Sequence, residues 1–254
     1  MPAVELPVYA LSYPKAGRTW LRALIGKLLA DRLEAPEGRI LDTEWLAGAA
    51  GAPPIHFDHD GSAMMHGVRW QDLPRDKRRY AGARVVLIGR DVRDNLVSAY
   101  FQATRRIHVW TDAMSPFLRD ERYGVDKLLA FYRIWSEHRS VPAAFMFVRY
   151  EDLHADAAGT LARVLAFIGI EASDRAIASA VEYCRFDNLR RVEAAGRFSD
   201  AALVPGNAGD PESFKVRRGK IGGYRDYLSP GDIAFIDAAI AARGCEFTRA
   251  RPAG

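Results

Sequence analysis

A chain of 254 residues with 49% hydrophobic and 27% charged side chains has ordinary globular composition, and its length suits one long α/β domain or two small ones. That composition excludes a disordered chain, a collagen-like repeat and a disulfide-stapled miniprotein. Basic residues outnumber acidic ones by 36 to 32, a net charge of +4 that suits an anionic ligand. They are spread along the chain and form no block or arm, which argues against nucleic acid as a partner.

No apolar run approaches the roughly 20 residues of a membrane span. The best stretch, Trp20 to Leu33, is broken by Arg22, Lys27, Asp31 and Arg32. The start of the chain has no basic segment leading into an apolar one, and Glu5 and Pro7 stand where such a segment would begin. Cys184 and Cys245 have no metal-type spacing, so they read as free thiols in a reducing cytoplasm, and no metal is expected.

Val8 to Ser12 is a short apolar run closed by Tyr13-Pro14, as expected of a buried parallel strand entering a loop. Leu21, Leu24, Ile25 and Leu28 then make a helical stripe to about Leu33, before Pro36 and Gly38. Arg84 to Ile88 is a second apolar strand, stopped by Gly89 and followed by a helix from Val92 to about Thr104. Val125, Leu128, Leu129 and Tyr132 give a further helix before a strand at Phe145–Arg149, and Leu161, Val164, Leu165 and Ile168 repeat the helical spacing. Ser229-Pro230 reads as an N-cap with proline at the first helical position of a last helix, to about Ala242. This βαβα order predicts a single α/β domain over 1–254, a three-layer fold with a central parallel β-sheet. The stretch 196–213 is rich in Gly, Asn, Asp and Pro without apolar period, and is expected to be a mobile lid.

Between the first strand and its helix lies Tyr13-Pro14-Lys15-Ala16-Gly17-Arg18-Thr19-Trp20. Gly17 permits close backbone approach, the helix start offers free N–H groups to an anion, and Lys15, Arg18 and Thr19 add two charges and a hydroxyl. This is a phosphate cradle, but not a Walker A loop, whose lysine follows the last glycine. Spacing alone also allows a tight turn with surface cations. Past the strand ending at Ile88, Arg90 leaves the carboxyl end of the sheet, where ligands of open α/β folds collect, and Ser98 lies two turns into the next helix. The two can share one phosphate; taken alone, the segment reads equally well as a solvated helix start.

These residues resemble a family. Tyr13 to Trp20 is similar to the 5′-phosphosulfate loop of the cytosolic-type sulfotransferases, which use 3′-phosphoadenosine 5′-phosphosulfate (PAPS). Gly89 to Tyr100 resembles that family's 3′-phosphate segment, Tyr150-Glu151-Asp152-Leu153 its Tyr-Glu-Asp strand end, and Phe214 to Tyr224 its late basic loop. Four matches in the expected order span nearly the whole chain. The resemblance implies a P-loop nucleoside-triphosphate-hydrolase-like fold and an enzyme that moves a sulfuryl group from PAPS to a hydroxyl or amine, without a metal. It implies that Lys15 stabilises the leaving phosphate and that Ala16, Gly17, Arg18 and Thr19 hold the 5′-phosphate, largely through backbone N–H groups. Arg90, Ser98, Arg217, Arg218 and Gly219 would clamp the 3′-phosphate, and Trp20, Tyr150 and Phe186 would surround the adenine. Glu151 and Asp152 read as structural acceptors.

The sequence also departs from the family. Ala16 and Arg18 replace a Ser and a Thr in the loop, and Phe57-Asp58 replaces the Lys-Thr pair that precedes the catalytic histidine. The family's sulfonate-contacting lysine is therefore missing, with Arg18 the candidate to compensate. His59, at the end of Ile55-His56-Phe57-Asp58, is the expected general base, with an imidazole pKa that Asp58 would raise. His66 in Met64-Met65-His66 competes for that role, while His108, His138 and His154 are expected on the surface. The acceptor is open: a small molecule, a carbohydrate or a lipid, in a pocket shaped by 103–123 and 196–213. Oligomeric state is left open too. The alternative within the same fold is a small-molecule kinase using ATP and Mg²⁺; a nucleotide-sensing module would need no histidine base.

Overall fold

The computed structural model describes residues 6–198, 203–204 and 206–249. Four strands, β1 (Val8–Ser12), β2 (Ile55–Asp58), β3 (Arg84–Gly89) and β4 (Ala144–Arg149), form one parallel sheet in the order β2-β1-β3-β4. Val8 is opposite Ile55 on one side and Arg84 on the other, so β1 is hydrogen-bonded along both edges. Parallel strands covered on both faces read as continuous apolar runs, and that is why β1 and β3 are plain in the sequence.

Alternate side chains feed two cores. Val8, Ala10, Ile55, Val86 and Ile88 point to a layer built on α1 (Arg18–Arg32), α7 (Ala157–Ile168) and α8 (Asp174–Tyr183). Leu11, Val85 and Leu87 point to the other, built on α3 (Val92–Arg105), α5 (Val125–His138) and α10 (Pro230–Arg243). The caps behave as their chemistry requires: the Asp91 carboxylate accepts from the N–H groups of Arg93 and Asp94, and the Ser229 hydroxyl accepts from Asp232 N–H ahead of Pro230. Helices at α2 (Thr43–Ala49), α4 (Met114–Arg119), α6 (Tyr150–Ala155) and α9 (Phe186–Ala194) were not expected from the sequence; nor was α8, despite its Ser173 N-cap. The expected lid at 196–213 includes 199–202 and 205, which lie outside the described residues. Its portion 206–213 is fastened by the buried Ser213 hydroxyl, which donates within 206–213 to carbonyls of Asn207 or Asp210 (2.6 and 2.9 Å).

The carboxyl end of each strand delivers one part of a common site: Lys15 just past β1, His59 past β2, Arg90 past β3 and Tyr150 past β4. Beneath the second of these lies a buried polar knot. Asp60, with positive φ of 46°, accepts from the Tyr80 hydroxyl (2.8 Å), Trp135 Nε1 (2.9 Å) and Arg79 (2.7 Å), and pairs with buried Lys77. A carboxylate with that many donors fixes the turn that carries His59.

Candidate active site

The loop from β1 to α1 owes its shape to two left-handed residues, Lys15 (φ 71°) and Gly17 (φ 103°). Successive reversals of this kind curl backbone N–H groups around a concavity suited to an anion. A β-carbon at Gly17 would lie 2.7 Å from the Tyr150 ring, so only glycine lets the loop approach that ring so closely. No side chain caps α1, which leaves its first N–H groups to a ligand.

A cavity of about 490 Å³ opens on this loop. Lys15, Arg18 and His59 line it, as do Gly17, Thr19, Trp20, Arg90, Ser98, Tyr150, Phe186, Arg217, Arg218 and Gly219. The residues expected at the site are thus gathered into one space with a single exception. Ala16 is absent from the lining; its methyl is in the core and its N–H donates to the Tyr13 carbonyl (3.3 Å). His66 is exposed on a 3₁₀ turn and does not line the cavity.

At one end stand aromatic faces. Trp20 is held by its Nε1–H on the Cys184 carbonyl (3.0 Å) and lies 5.7 Å from Tyr150 between ring centres. Phe186 is partly exposed on the cavity wall, where its face is open to a ligand. Gly219 (φ 60°) could not carry a β-carbon, which would meet the Phe186 ring at 2.6 Å. The Arg90 guanidinium lies 4.4 Å from the Tyr150 ring centre, and Arg217 stacks on Phe101 and Tyr227. Glu212 binds both Arg217 (2.7 Å) and Arg218 (3.4 Å). Buried nitrogens of Arg18, Arg90 and Arg217 have no hydrogen-bond partner, a costly condition unless an anion completes them.

At the other end, His59 Nδ1 lies 2.9 Å from the Ser12 carbonyl and Nε2 lies 3.0 Å from Arg18 Nη2. A carbonyl only accepts and a guanidinium only donates, so the proton is on Nδ1 and the lone pair on Nε2. Burial, then the Arg18 charge, lowers the imidazole pKa to about 3. This corrects the expectation that Asp58 raises it: the Asp58 carboxylate instead accepts from the His59 backbone N–H (2.6 Å) and pairs with Arg79. Lys15 is held well below its ordinary value by burial and by the charges of Lys215, Arg106, Arg90 and Arg217. Such a concentration of cationic side chains in one enclosed space suits a polyanion.

Sequence reasoning missed several contributors. Asp94 is buried and accepts from Gly222 and Tyr224 N–H groups (2.6 and 2.9 Å), pinning the late loop to α3. Buried Glu193 accepts from Lys215 and Val216 N–H groups (2.6 and 2.8 Å) and from Arg106. His154 is exposed, as expected, and also lines the cavity, where it bonds the Gly219 carbonyl (2.8 Å). Glu151 is a structural acceptor as expected, receiving the Asp91 N–H (2.9 Å).

A family model described as "Sulfotransferase domain" matches residues 76–247, more than half of the chain. The chain belongs to the PAPS-dependent sulfotransferase family. The matched span of this sulfotransferase contains Arg90, Ser98, Tyr150, Phe186 and Arg217 to Gly219, while Lys15 and His59 precede it. Cytosolic sulfotransferase 17 of Arabidopsis thaliana is 24% identical over 262 residues, covering 91% of this sulfotransferase and 72% of the relative. Flavonol 3-sulfotransferase of Flaveria bidentis is 23% identical, with 92% and 80% covered. The fold matches that of mouse sulfotransferase SULT7A1 complexed with PAP (TM-score 0.66, 20% identity, 95% of this chain and 85% of the other). A retinol dehydratase complexed with retinol and PAP gives a TM-score of 0.67 at 18% identity, over 99% of this chain and 85% of that one. The kinase alternative finds no support in these matches. No helix among the described residues is long and apolar enough to cross a membrane.

Proposed function

We propose that this sulfotransferase, a single domain in the cytoplasm, transfers the sulfuryl group of PAPS to a hydroxyl or amine of a small-molecule acceptor by in-line attack. The observation that carries the reading is the shared cavity, lined together by Lys15, neutral His59, aromatic rings and an arginine cluster. The relatives named for flavonols and the neighbour complexed with retinol support a small hydroxylated acceptor over a carbohydrate or a complex lipid.

PAPS supplies the activated sulfuryl group and the adenosine by which it is held. The orphaned arginine nitrogens and the glycine cradle fit its phosphates. Gly17, Arg18 and Thr19 hold the 5′-phosphate by backbone N–H groups, Arg90, Ser98, Arg217, Arg218 and Gly219 hold the 3′-phosphate, and Trp20, Tyr150 and Phe186 sandwich the base. Base–aromatic stacking is worth about 1–3 kcal/mol. Lys15 stabilises charge on the departing phosphate, and His59 Nε2 takes the proton of the attacking group.

The test is a thermal-shift comparison of PAP, PAPS, ADP and ATP without metal. Two or three charge-assisted bonds to a 3′-phosphate, at about 1.5–3 kcal/mol each, give PAP at least a hundredfold preference over ADP. Equal stabilisation by PAP and ADP refutes the assignment.

A further inference from the structure

The sequence leaves one position of the reaction centre unfilled. Phe57, where the family resemblance leads one to expect a lysine, packs against the apolar core with the Arg22 guanidinium 5.7 Å from its ring centre. Arg18, bonded to His59 in the free protein, is assigned to the 5′-phosphate and so does not replace that cation. Lys215 lines the same cavity as Lys15, Arg18 and His59, although it comes from the late loop, far away in sequence. Its positive charge is among those that lower the pKa of both Lys15 and His59.

The shared cavity matters because an in-line transfer places the sulfur between Lys15 and His59, one apex facing the lysine on the leaving oxygen and the other facing the base. A third cation lining that cavity is available to the equatorial oxygens in between. The backbone that carries Lys215 is firmly anchored, since its own N–H and that of Val216 are both received by the Glu193 carboxylate, which is fully buried and paired with Arg106.

We propose that Lys215 is a catalytic residue that binds the sulfonate oxygens of PAPS during transfer, replacing from the late loop the cation missing at Phe57, with Glu193 as its positioning residue. This rests on the assignment of Lys15 and His59 to the two apices. In the reaction the bond from sulfur to the bridging oxygen breaks as the bond from the acceptor oxygen or nitrogen forms. The leaving oxygen keeps the electron pair and His59 receives the acceptor's proton. Lys215 forms no bond and loses no proton; it offsets charge on the three oxygens that travel with sulfur.

The proposal can be tested without knowing the acceptor. Dissociation constants for PAPS and PAP are measured by calorimetry with wild type, Lys215→Met and Lys215→Arg, together with slow PAP release from PAPS with water as acceptor. Lys215→Met should weaken PAPS binding about tenfold and slow PAP release by at least that factor, with PAP affinity within twofold of wild type; Lys215→Arg should restore most of both. Equal weakening of PAPS and PAP would make Lys215 a phosphate ligand, and no change in either would remove it from the site. Both outcomes overturn the proposal while leaving the donor assignment intact. If wild type itself fails to prefer PAP to ADP, the donor assignment falls, and the role of Lys215 with it.

Discussion

Arg18 donates a hydrogen bond to the nitrogen of His59 that a general base must use, at 3.0 Å. A guanidinium prefers an anionic oxygen to a neutral imidazole. Donor binding is therefore expected to draw Arg18 away and expose Nε2, so that the base becomes available only when the sulfuryl group is in place. Arg18→Met should raise the His59 pKa, since a neighbouring cation is lost, while keeping it below 6.5 because burial is the larger cause. Ring-nitrogen NMR shifts followed through a pH titration check this, and an imidazole that titrates identically in both proteins contradicts it.

His59→Ala should lower kcat by about 10²–10⁴ with PAP affinity nearly unchanged, whereas His66→Ala should cost less than about tenfold. The converse result would move the base to His66, despite its exposed position outside the cavity.

Burial of neutral His59 also sets a pH dependence of stability. With a folded pKa of about 3 against 6.5 for a free imidazole, the unfolded chain binds a proton that the folded chain refuses. Stability from this group is fully present above pH 6.5 and is lost progressively as pH falls toward 3. His59→Asn should flatten that part of the curve in chemical denaturation; an unchanged slope would show that the imidazole is not buried neutral.

Lys15→Met should abolish transfer from PAPS and leave the melting temperature of the free protein equal or higher, because an amine held among four cationic side chains is removed. The wild type should also take up protons on binding PAP at alkaline pH, between the lowered and the ordinary lysine pKa, as the phosphates restore the Lys15 charge. Calorimetry in buffers of different ionisation enthalpy measures the uptake, and zero uptake counts against a depressed Lys15.

Gly17→Ala would force a side chain into a φ of +103° and against Tyr150 at 2.7 Å. The expected cost is about 1–3 kcal/mol of stability, read from urea unfolding, with at least a tenfold loss of PAP affinity. A variant that binds PAP normally would mean that the loop relaxes freely.

The sheet and the donor loop were legible because local chemistry dictates them. The apolar runs of β1 and β3, the Leu21–Leu28 stripe and the residues from Lys15 to Trp20 are each contiguous. What escaped the sequence was assembled across distance. Glu193 occupies a core position on α9, where a charge reads as a solvated face until Arg106 and two backbone N–H groups are seen around it. Asp60 has the same character, its donors coming from Lys77, Arg79, Tyr80 and Trp135. The direction of the His59 pKa shift is hidden for a related reason. The adjacent carboxylate in sequence faces elsewhere, and the charge that counts comes from Arg18.

The central place of β1 bears on how activity is lost. Its flanking ladders to β2 and β3 bind the segment carrying Lys15 to those carrying His59 and Arg90, so these three groups should come apart only when the sheet itself opens. The late loop is secured differently, by carboxylates such as Glu193 and Asp94 receiving its backbone N–H groups. Mild denaturant should then loosen the late loop first, weakening the grip on the 3′-phosphate and displacing Lys215 while Lys15, His59 and Arg90 stay aligned on the sheet.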